Sequence, residues 1–120
     1  MWAVEYTDEF GAWFDGNELN ETDREALAES IGLLEHHGPT LGRPHADTVK
    51  GARHRNLKEL RTRNKEKVLR TFFAIDPRRR VILLIGGNKW GDKRFYERMI
   101  PEADRLYSFY LEEIRKEGLI

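Results

Sequence analysis

The amino-acid sequence predicts a single α+β domain with the element order strand, two helices, three-stranded meander and helix. Three strand-like segments follow one another between residues 57 and 85, and only short turns separate them. Helical patterns lie on both sides of this meander, and no repeat, linker or low-complexity tract divides the 120 residues. A chain of this length forms one domain with a modest hydrophobic core, so we take residues 1–120 as one unit.

The N-terminal third predicts one short strand and two helices. Val4–Tyr6 alternates apolar and polar residues, as a half-buried strand does. Thr7 is placed to cap a first helix, and Thr22 with Glu25 fits a capping box at the start of a second helix. Gly38, which precedes a proline, predicts the end of that second helix.

The rest of the chain predicts a loop, the meander and a last helix. Residues 38–56 are rich in glycine, proline and cations without periodicity, which indicates a surface loop. Leu57–Thr62 and Val68–Asp76 have the composition of strands. Val81–Ile85 is apolar at consecutive positions, so we expect it to be buried on both faces and central in the sheet. Pro101 predicts the start of the last helix, since proline is favoured in the first helical turn.

The charge is unevenly distributed although its total is zero. Residues 1–42 carry a net charge of −9, residues 43–98 carry +11, and residues 99–120 carry −2. The basic block, residues 43–98, favours an anionic partner, most often a nucleic acid. In the alternative, the acidic helices fold back over the basic strands and the charges pair internally. The sequence leaves both interpretations open.

Composition and motifs exclude several kinds of site. The chain has no cysteine, which excludes a disulfide framework and a thiolate metal site. The four histidines lack the spacing of metal ligands. Gly86–Gly91 departs from the phosphate-binding loop, because Asp92 stands where that loop has its lysine. No serine lies on a nucleophile elbow. We therefore expect neither a metal nor a cofactor.

The expected location is the cytoplasm. The N-terminal sequence MWAVEYTDEF is acidic and lacks the cationic start and apolar run of a signal peptide. No apolar stretch approaches the ~18–20 residues that span a bilayer, so we expect no membrane segment. The absence of cysteine suits a reducing compartment.

Charged residues within and after the strands are the candidates for a functional site. Alternate residues of a strand share a face, so Glu59 and Arg61 share one. Arg70 lies among apolar neighbours, where a cation is costly unless it meets solvent, a carboxylate or a ligand. In an antiparallel meander, both arginines could approach the basic and aromatic residues that follow the last strand: Lys89, Trp90, Lys93, Arg94 and Tyr96. Alternatively, these cations only keep edges and loops soluble.

His54 stands between two arginines inside the basic block. An imidazole in that setting could titrate near neutrality and transfer protons. The alternative, which histidine statistics favour, is a solvated loop histidine without a chemical role.

Three segments give the chain a family resemblance. LGRPHADTVKGARHRNLKELR, VLRTFFAIDPRRRVILLIGGNK and FYERMIPEADRLY are similar to the HigB-like branch of the RelE/ParE toxin superfamily, and the likeness extends over roughly residues 2–112. The resemblance implies a RelE-like fold, in which two N-terminal helices pack on a small, mainly antiparallel sheet. It also implies a toxin of a type II toxin–antitoxin pair, with a helix-turn-helix antitoxin encoded by an adjacent gene.

The resemblance also implies a reaction. RelE and HigB proteins enter the ribosomal A site and cut mRNA there. The 2′-hydroxyl attacks the neighbouring phosphate without a metal, so the enzyme supplies a base, an acid and cations. The resemblance leaves two further hypotheses open: a ParE-like gyrase inhibitor, and a non-catalytic module that binds RNA or the antitoxin.

Family positions suggest roles for individual residues. Arg61 and Arg70 match positions that carry phosphate-binding cations, and we expect Arg70 to be the main transition-state cation. Tyr96 resembles a C-terminal tyrosine that stacks on a base or exchanges a proton. Glu59 departs from RelE, which tends to have lysine there; it is either the base or a partner of Arg61. His54 is a further candidate for proton transfer.

The remaining family positions suggest contacts with RNA. Lys89, Lys93 and Arg94 match the basic segment after the last strand, and Lys58 lies in the family-like motif NLKELR. Trp90 either stacks on an RNA base or seals the hydrophobic core. The sequence does not choose between these two positions for the indole.

Overall fold

The computed structural model describes all 120 residues and contains a mixed sheet of five strands between two layers of helix. The strands lie in the order β1-β5-β4-β3-β2; β1 is parallel to β5, and all other neighbours are antiparallel. The elements are β1 (Val4–Tyr6), α1 (Asp8–Asp15), α2 (Glu21–His37), a 3-10 helix (Gly38–Thr40), β2 (Ala46–Thr48), β3 (Lys58–Asn64), β4 (Lys67–Ile75), β5 (Val81–Asn88) and α3 (Phe95–Lys116).

Each face of the sheet has its own hydrophobic core. The helices α1 and α2 cover one face, where Phe10 and Leu27 belong to one cluster with Phe73 of β4. The helix α3 covers the other face, where Phe95 belongs to a second cluster with Phe72 of β4. This arrangement confirms the α+β class and is compatible with a RelE-like fold.

The register of the sheet brings the two candidate arginines together. Arg61 of β3 pairs directly with Arg70 of β4, and Arg70 pairs with Gly87 of β5. The sequence indicates only that an antiparallel meander could bring both arginines near the residues after the last strand; their direct pairing comes from the register. β5 lies between β1 and β4, and Val81–Leu84 are buried, as the apolar run predicts, whereas Ile85 at its end is half-buried.

Two glycines near the end of β5 let aromatic rings approach both faces of the strand. A Cβ atom on Gly86 would lie 2.2 Å from the indole of Trp13 in α1. A Cβ atom on Gly87 would lie 2.9 Å from the ring of Phe95 at the start of α3. The glycine pair thus serves helix packing on both faces of the sheet.

The start of α2 differs from the sequence prediction. The capping box is formed by Asn20 and Asp23, whose side chains each accept the other's backbone amide at 2.8 Å. Thr22 lies inside the first turn, and its hydroxyl donates to Asn20 at 2.9 Å. The prediction of a Thr22–Glu25 box is wrong because asparagine, an equally good cap, stands two residues earlier.

The start of α3 also differs from the sequence prediction. The helix begins at Phe95, and Pro101 lies inside it on the exposed side. Proline removes its own amide donor, and its ring crowds the carbonyl of Glu97 one turn earlier, so the packing of α3 on the sheet has to outweigh this cost. The earlier start places Tyr96 in the first helical turn.

The segment 38–56 is not wholly a loop. It contains the 3-10 helix and the short edge strand β2, in which Asp47 pairs with Glu59 of β3. The sequence did not indicate this strand because its three residues lie within a stretch rich in glycine, proline and cations. None of the three α-helices combines the length and hydropathy that crossing a membrane requires.

Candidate active site

Four side chains meet where β3, β4 and the first turn of α3 come together, and we call them the Glu59 cluster: Glu59, Arg61, Arg70 and Tyr96. The Tyr96 hydroxyl donates to Glu59 Oε1 at 2.7 Å. Arg61 binds Glu59 Oε2 through Nη2 at 3.2 Å and through Nε at 3.3 Å. Arg70 Nε lies 3.3 Å from the Tyr96 hydroxyl and 3.6 Å from Glu59 Oε1.

The strand period explains why the cluster forms. Glu59 and Arg61 alternate on β3, and Arg70 is the register partner of Arg61, so all three side chains lie on the α3 face of the sheet. The β5–α3 loop then turns the chain so that Tyr96 meets them. Glu59 is only 5% exposed, and its two nearby guanidinium groups compensate the burial of its charge.

The Tyr96 phenol is held in its protonated form. Burial, and then the hydrogen bond to the Glu59 carboxylate, raise the pKa of Tyr96 above its ordinary value. The nearby Arg70 guanidinium opposes this shift. At neutral pH the phenol is therefore a proton donor and not a base.

Asp47 of β2 extends the cluster and was not singled out from the sequence. Its Oδ2 lies 3.4 Å from Arg61 Nη2 and 2.8 Å from Arg43 Nη2. The hydrogen bond from Arg43, followed by the one from the Thr48 amide, lowers the pKa of Asp47 below its ordinary value. The sequence did not point to Asp47, because residues 38–56 were predicted to be a loop and β2 was not predicted.

Two surface hollows flank the Glu59 cluster. The arginine hollow has a volume of about 300 Å³ and is lined by Arg61, Arg63, Arg70 and His45. The β2–α3 hollow has a volume of about 390 Å³ and is lined by Arg43, Asp47, Val49, Lys50, Glu59, Tyr96 and Ile100, with Thr48. The first hollow has three arginines and no carboxylate, and its other lining residues are His45, Pro44, Thr62 and Val68. The second combines apolar, acidic and basic groups.

The β5–α3 loop adds cations and an indole beside the cluster. Lys89 Nζ lies 5.2 Å from the centre of the Tyr96 ring, within the range of a cation–π contact. Trp90 is 61% exposed, so its indole does not seal the core. Lys93 and Arg94 are exposed on the same loop.

Two candidate residues lie away from the cluster. Lys58 is on the opposite face of the sheet, where its Nζ donates to the Pro39 carbonyl oxygen at 3.1 Å. His54 lies over the C-terminal half of α3, where its ring bonds to Ser108 at 2.8 Å and contacts Tyr107. Ser108 is twelve residues beyond Tyr96, which corresponds to about 18 Å along the helix.

The charges of the basic block are only partly paired. Asp23 binds Lys67, and Glu5 binds Arg80, so some internal pairing with the N-terminal segment exists. Seven of the seventeen cations in the basic block form ion pairs. The cations without an ion pair are Lys50, Arg53, Arg55, Lys58, Arg63, Lys65, Arg79, Lys89, Lys93 and Arg94. This surplus is available to an anionic partner.

The structure contains no group of three or more histidine or carboxylate side chains that could hold a metal ion. The Glu59 cluster itself offers a carboxylate, a phenol and two guanidinium groups. Together they can accept a proton, donate a proton and bind an oxyanion.

Comparison with known proteins identifies relatives. Residues 13–108 match the family described as "Phage derived protein Gp49-like". "Putative toxin HigB3" of Mycobacterium tuberculosis (strain ATCC 25618 / H37Rv) is 45% identical over 94 residues, which cover 78% of this chain and 79% of that protein. "Putative toxin HigB2" of the same strain is 37% identical over 114 residues, 93% of this chain. The chain spans about half of HigB2, 55% of its length. No solved structure matches the chain significantly.

These matches confirm the resemblance to HigB toxins that the sequence segments indicate. The family match includes β3, β4, β5 and the start of α3, which together carry the whole Glu59 cluster. The similarity to HigB3 covers more than two thirds of both chains. The chain therefore belongs to the phage-derived Gp49-like family and is a HigB-like protein.

Proposed function

We propose that this protein is the toxin of a type II toxin–antitoxin system and that it cleaves mRNA in the ribosomal A site. The Glu59 cluster is the observation that carries the proposal, because two arginines from paired strands meet a carboxylate and a phenol. The planar fork of arginine matches phosphate oxygens, which supports phosphate chemistry at this place. The names of the two mycobacterial relatives support the role of a toxin.

The proposed reaction is a transfer within the RNA strand. The 2′-oxygen forms a bond to the neighbouring phosphorus, and the bond from phosphorus to the 5′-oxygen breaks. The products are a 2′,3′-cyclic phosphate and a 5′-hydroxyl. A base takes the 2′-hydroxyl proton, an acid protonates the leaving oxygen, and cations stabilise the charge that develops on the phosphate. The proposal uses no metal.

The geometry suggests one role for each member of the cluster. Arg61 and Arg70 line the arginine hollow, where they would bind the scissile phosphate. Glu59 would take the 2′-hydroxyl proton, and Tyr96, whose raised pKa keeps its own proton, would donate to the 5′-oxygen. Because Tyr96 and Glu59 are 2.7 Å apart, Glu59 can then return a proton to the phenol. His54 and Lys58 have no part in this proposal, since both lie away from the cluster.

The β5–α3 loop would hold the flanking RNA. Lys89, Lys93 and Arg94 have no ion pair and can bind phosphates. The exposed indole of Trp90 can stack on an unstacked base, as aromatic side chains do in single-stranded RNA recognition.

The proposed partner is a helix-turn-helix antitoxin encoded by an adjacent gene. It would either cover the Glu59 cluster and its basic surroundings or hold the acidic N-terminal helices. The toxin would act in the cytoplasm, where the ribosomes are.

A cell-free translation reaction with a defined mRNA tests the proposal. Primer extension maps new 5′ ends with and without ribosomes. We expect cuts within translated codons and only in the presence of ribosomes. Arg70→Ala should reduce cutting about a hundredfold or more, because it removes transition-state charge stabilisation. Arg115→Ala, which removes an exposed arginine near the end of α3, is the matched control and should cut like the wild type.

Three results would contradict parts of the proposal. An uncut message with folded wild-type protein would exclude the nuclease, and DNA breaks that depend on gyrase would then indicate the ParE-like activity. RNA or antitoxin binding without cleavage would indicate a binding module. Full activity of Arg70→Ala would remove Arg70 from the reaction.

A further inference from the structure

The β2–α3 hollow lies on the Glu59 and Tyr96 side of the Glu59 cluster, and the arginine hollow lies on its arginine side. Both Glu59 and Tyr96 line it, whereas Arg61 and Arg70 line the arginine hollow. Its volume of about 390 Å³ lies within the range of about 300–1,000 Å³ that small-molecule sites occupy. A group bound here would lie next to the proposed proton acceptor.

The interior of the hollow suits a flat ring with N–H donors. Val49 is buried, Ile100 is half-buried, and the Tyr96 ring adds an aromatic surface. Asp47 Oδ1 accepts only the Thr48 amide, at 2.9 Å, so it retains room for a second donor. A carboxylate in this position accepts from the exocyclic amino group of a base.

The outer part of the hollow suits a phosphate. Arg43 and Lys50 line it and are both exposed. Arg43 is already paired with Asp47, whereas Lys50 forms no ion pair and is free to bind an anion. Acidic groups that can accept from a base edge, and a free cation that can meet a phosphate, together match a nucleotide.

We propose that the β2–α3 hollow binds the base of the nucleotide whose 2′-hydroxyl attacks, and that it favours bases with an amino group over uracil. Lys50 binds a phosphate next to that nucleotide. The inference rests on the proposed nuclease function, because it places the attacking sugar beside Glu59 and the scissile phosphate in the arginine hollow.

Binding of short 2′-O-methyl oligonucleotides tests the hollow apart from catalysis, because methylation blocks the attack. Fluorescence anisotropy compares oligomers of adenosine, cytidine and uridine. We expect the wild type to bind the adenosine and cytidine oligomers more tightly than the uridine oligomer. Ile100→Trp fills the hollow and should weaken this binding about tenfold and abolish the preference. Leu111→Trp, at a half-buried position further along α3, is the matched control.

The salt dependence of binding tests the phosphate contact. Lys50→Ala should reduce the slope of log affinity against log salt by about 0.7, the value for one phosphate of a single strand. Lys116→Ala removes an exposed lysine at the end of α3 and should leave the slope unchanged. Thermal unfolding of all four variants shows whether each is folded.

Cleavage by the same variants separates this inference from the proposed function. If the wild type cuts mRNA and folded Ile100→Trp binds and cuts like it, the hollow does not hold the base, and the nuclease survives. If the wild type cuts nothing but Ile100→Trp loses RNA affinity and base preference, the hollow binds RNA and the nuclease fails. Loss of antitoxin affinity in Ile100→Trp with unchanged RNA affinity would assign the hollow to the antitoxin instead.

Discussion

Glu59 is the residue around which the candidate site is arranged. Its carboxylate accepts hydrogen bonds from Tyr96 and Arg61 and lies 3.6 Å from Arg70 Nε. A buried carboxylate is costly unless hydrogen bonds and opposite charges replace its water. The same contacts hold two arginines, which would otherwise repel each other, within one site. The carboxylate thus positions the cations that the proposed reaction needs.

Tyr96 gives a prediction at this scale. Burial, and then the hydrogen bond to Glu59, raise its pKa, so the stability that the protonated phenol contributes is complete below pH about 10 and is lost as the pH rises through the folded-state pKa. An ultraviolet absorbance titration follows the ionisation of the tyrosines. In Tyr96→Phe, one ionisation above pH about 10 should therefore be missing from the titration curve. The variant should also lower mRNA cutting about a hundredfold, since it removes the proposed acid.

The control for that prediction is Tyr6→Phe, because Tyr6 is exposed on β1 and far along the sheet from the Glu59 cluster. This variant should cut like the wild type. If Tyr96→Phe cuts at the wild-type rate, the phenol does not supply the proton, and another group protonates the leaving oxygen.

At the scale of elements, the β5 glycines set how closely the helices approach the sheet. Trp13 of α1 lies against Gly86, where an added Cβ would stand 2.2 Å from the indole. Phe95 lies against Gly87, where the contact would be 2.9 Å with the edge of the ring. Gly86→Ala should therefore lower the free energy of unfolding by about 1–3 kcal/mol, which is the range for overpacked cores.

Urea unfolding of both variants checks this prediction. Gly87→Ala should cost less stability than Gly86→Ala, because a smaller shift of a ring relieves its contact. It should nevertheless reduce mRNA cutting, because a shift of Phe95 also displaces its neighbour Tyr96 from the Glu59 cluster. Equal stabilities of Gly86→Ala and the wild type would mean that α1 can move away from the sheet without loss.

Elements also show what the sequence could and could not predict. The three long strands follow from their composition and turns, but the pairing of Arg61 with Arg70 depends on the strand register, which the sequence does not reveal. The strand β2 was missed because its three residues lie within a stretch rich in glycine, proline and cations, and Asp47 was missed with it. Pro101 predicts a helix start on local preference, but the packing of Phe95 on the sheet extends α3 backwards. His54 lies among cations in sequence yet contacts the far half of α3.

At the scale of the whole molecule, two buried aspartates join layers of the fold. Asp23 of α2 binds Lys67 and Asn64 of the β3–β4 hairpin. Asp76, in the turn after β4, accepts from the Tyr110 hydroxyl of α3 at 2.7 Å and pairs with Arg78 at 3.2 Å. One aspartate therefore fastens a helix to each face of the sheet.

Acid should consequently unfold the protein through these two residues. Burial alone would raise the pKa of Asp23 and of Asp76, but hydrogen bonds and cations outweigh it and lower both pKa values. Their stabilising contribution is complete above pH about 4, the unfolded-state value, and is lost as the pH falls through the folded-state pKa. Urea unfolding should therefore give a free energy that falls steeply below pH about 4.

The variants Asp23→Asn and Asp76→Asn test whether these residues cause the loss of stability at acid pH. Each should be less stable than the wild type near pH 7 but lose less further stability between pH about 4 and 2, because the titrating group is absent. Since the two aspartates lie on different faces of the sheet and share no partner, the double variant should show the sum of both effects. Glu113→Gln, which removes an exposed carboxylate without an ion pair, is the control. If the free energy of unfolding falls with pH in the same way in the wild type and in both aspartate variants, these two residues do not cause the loss of stability in acid. The general positive charge of the protonated chain would then be its cause.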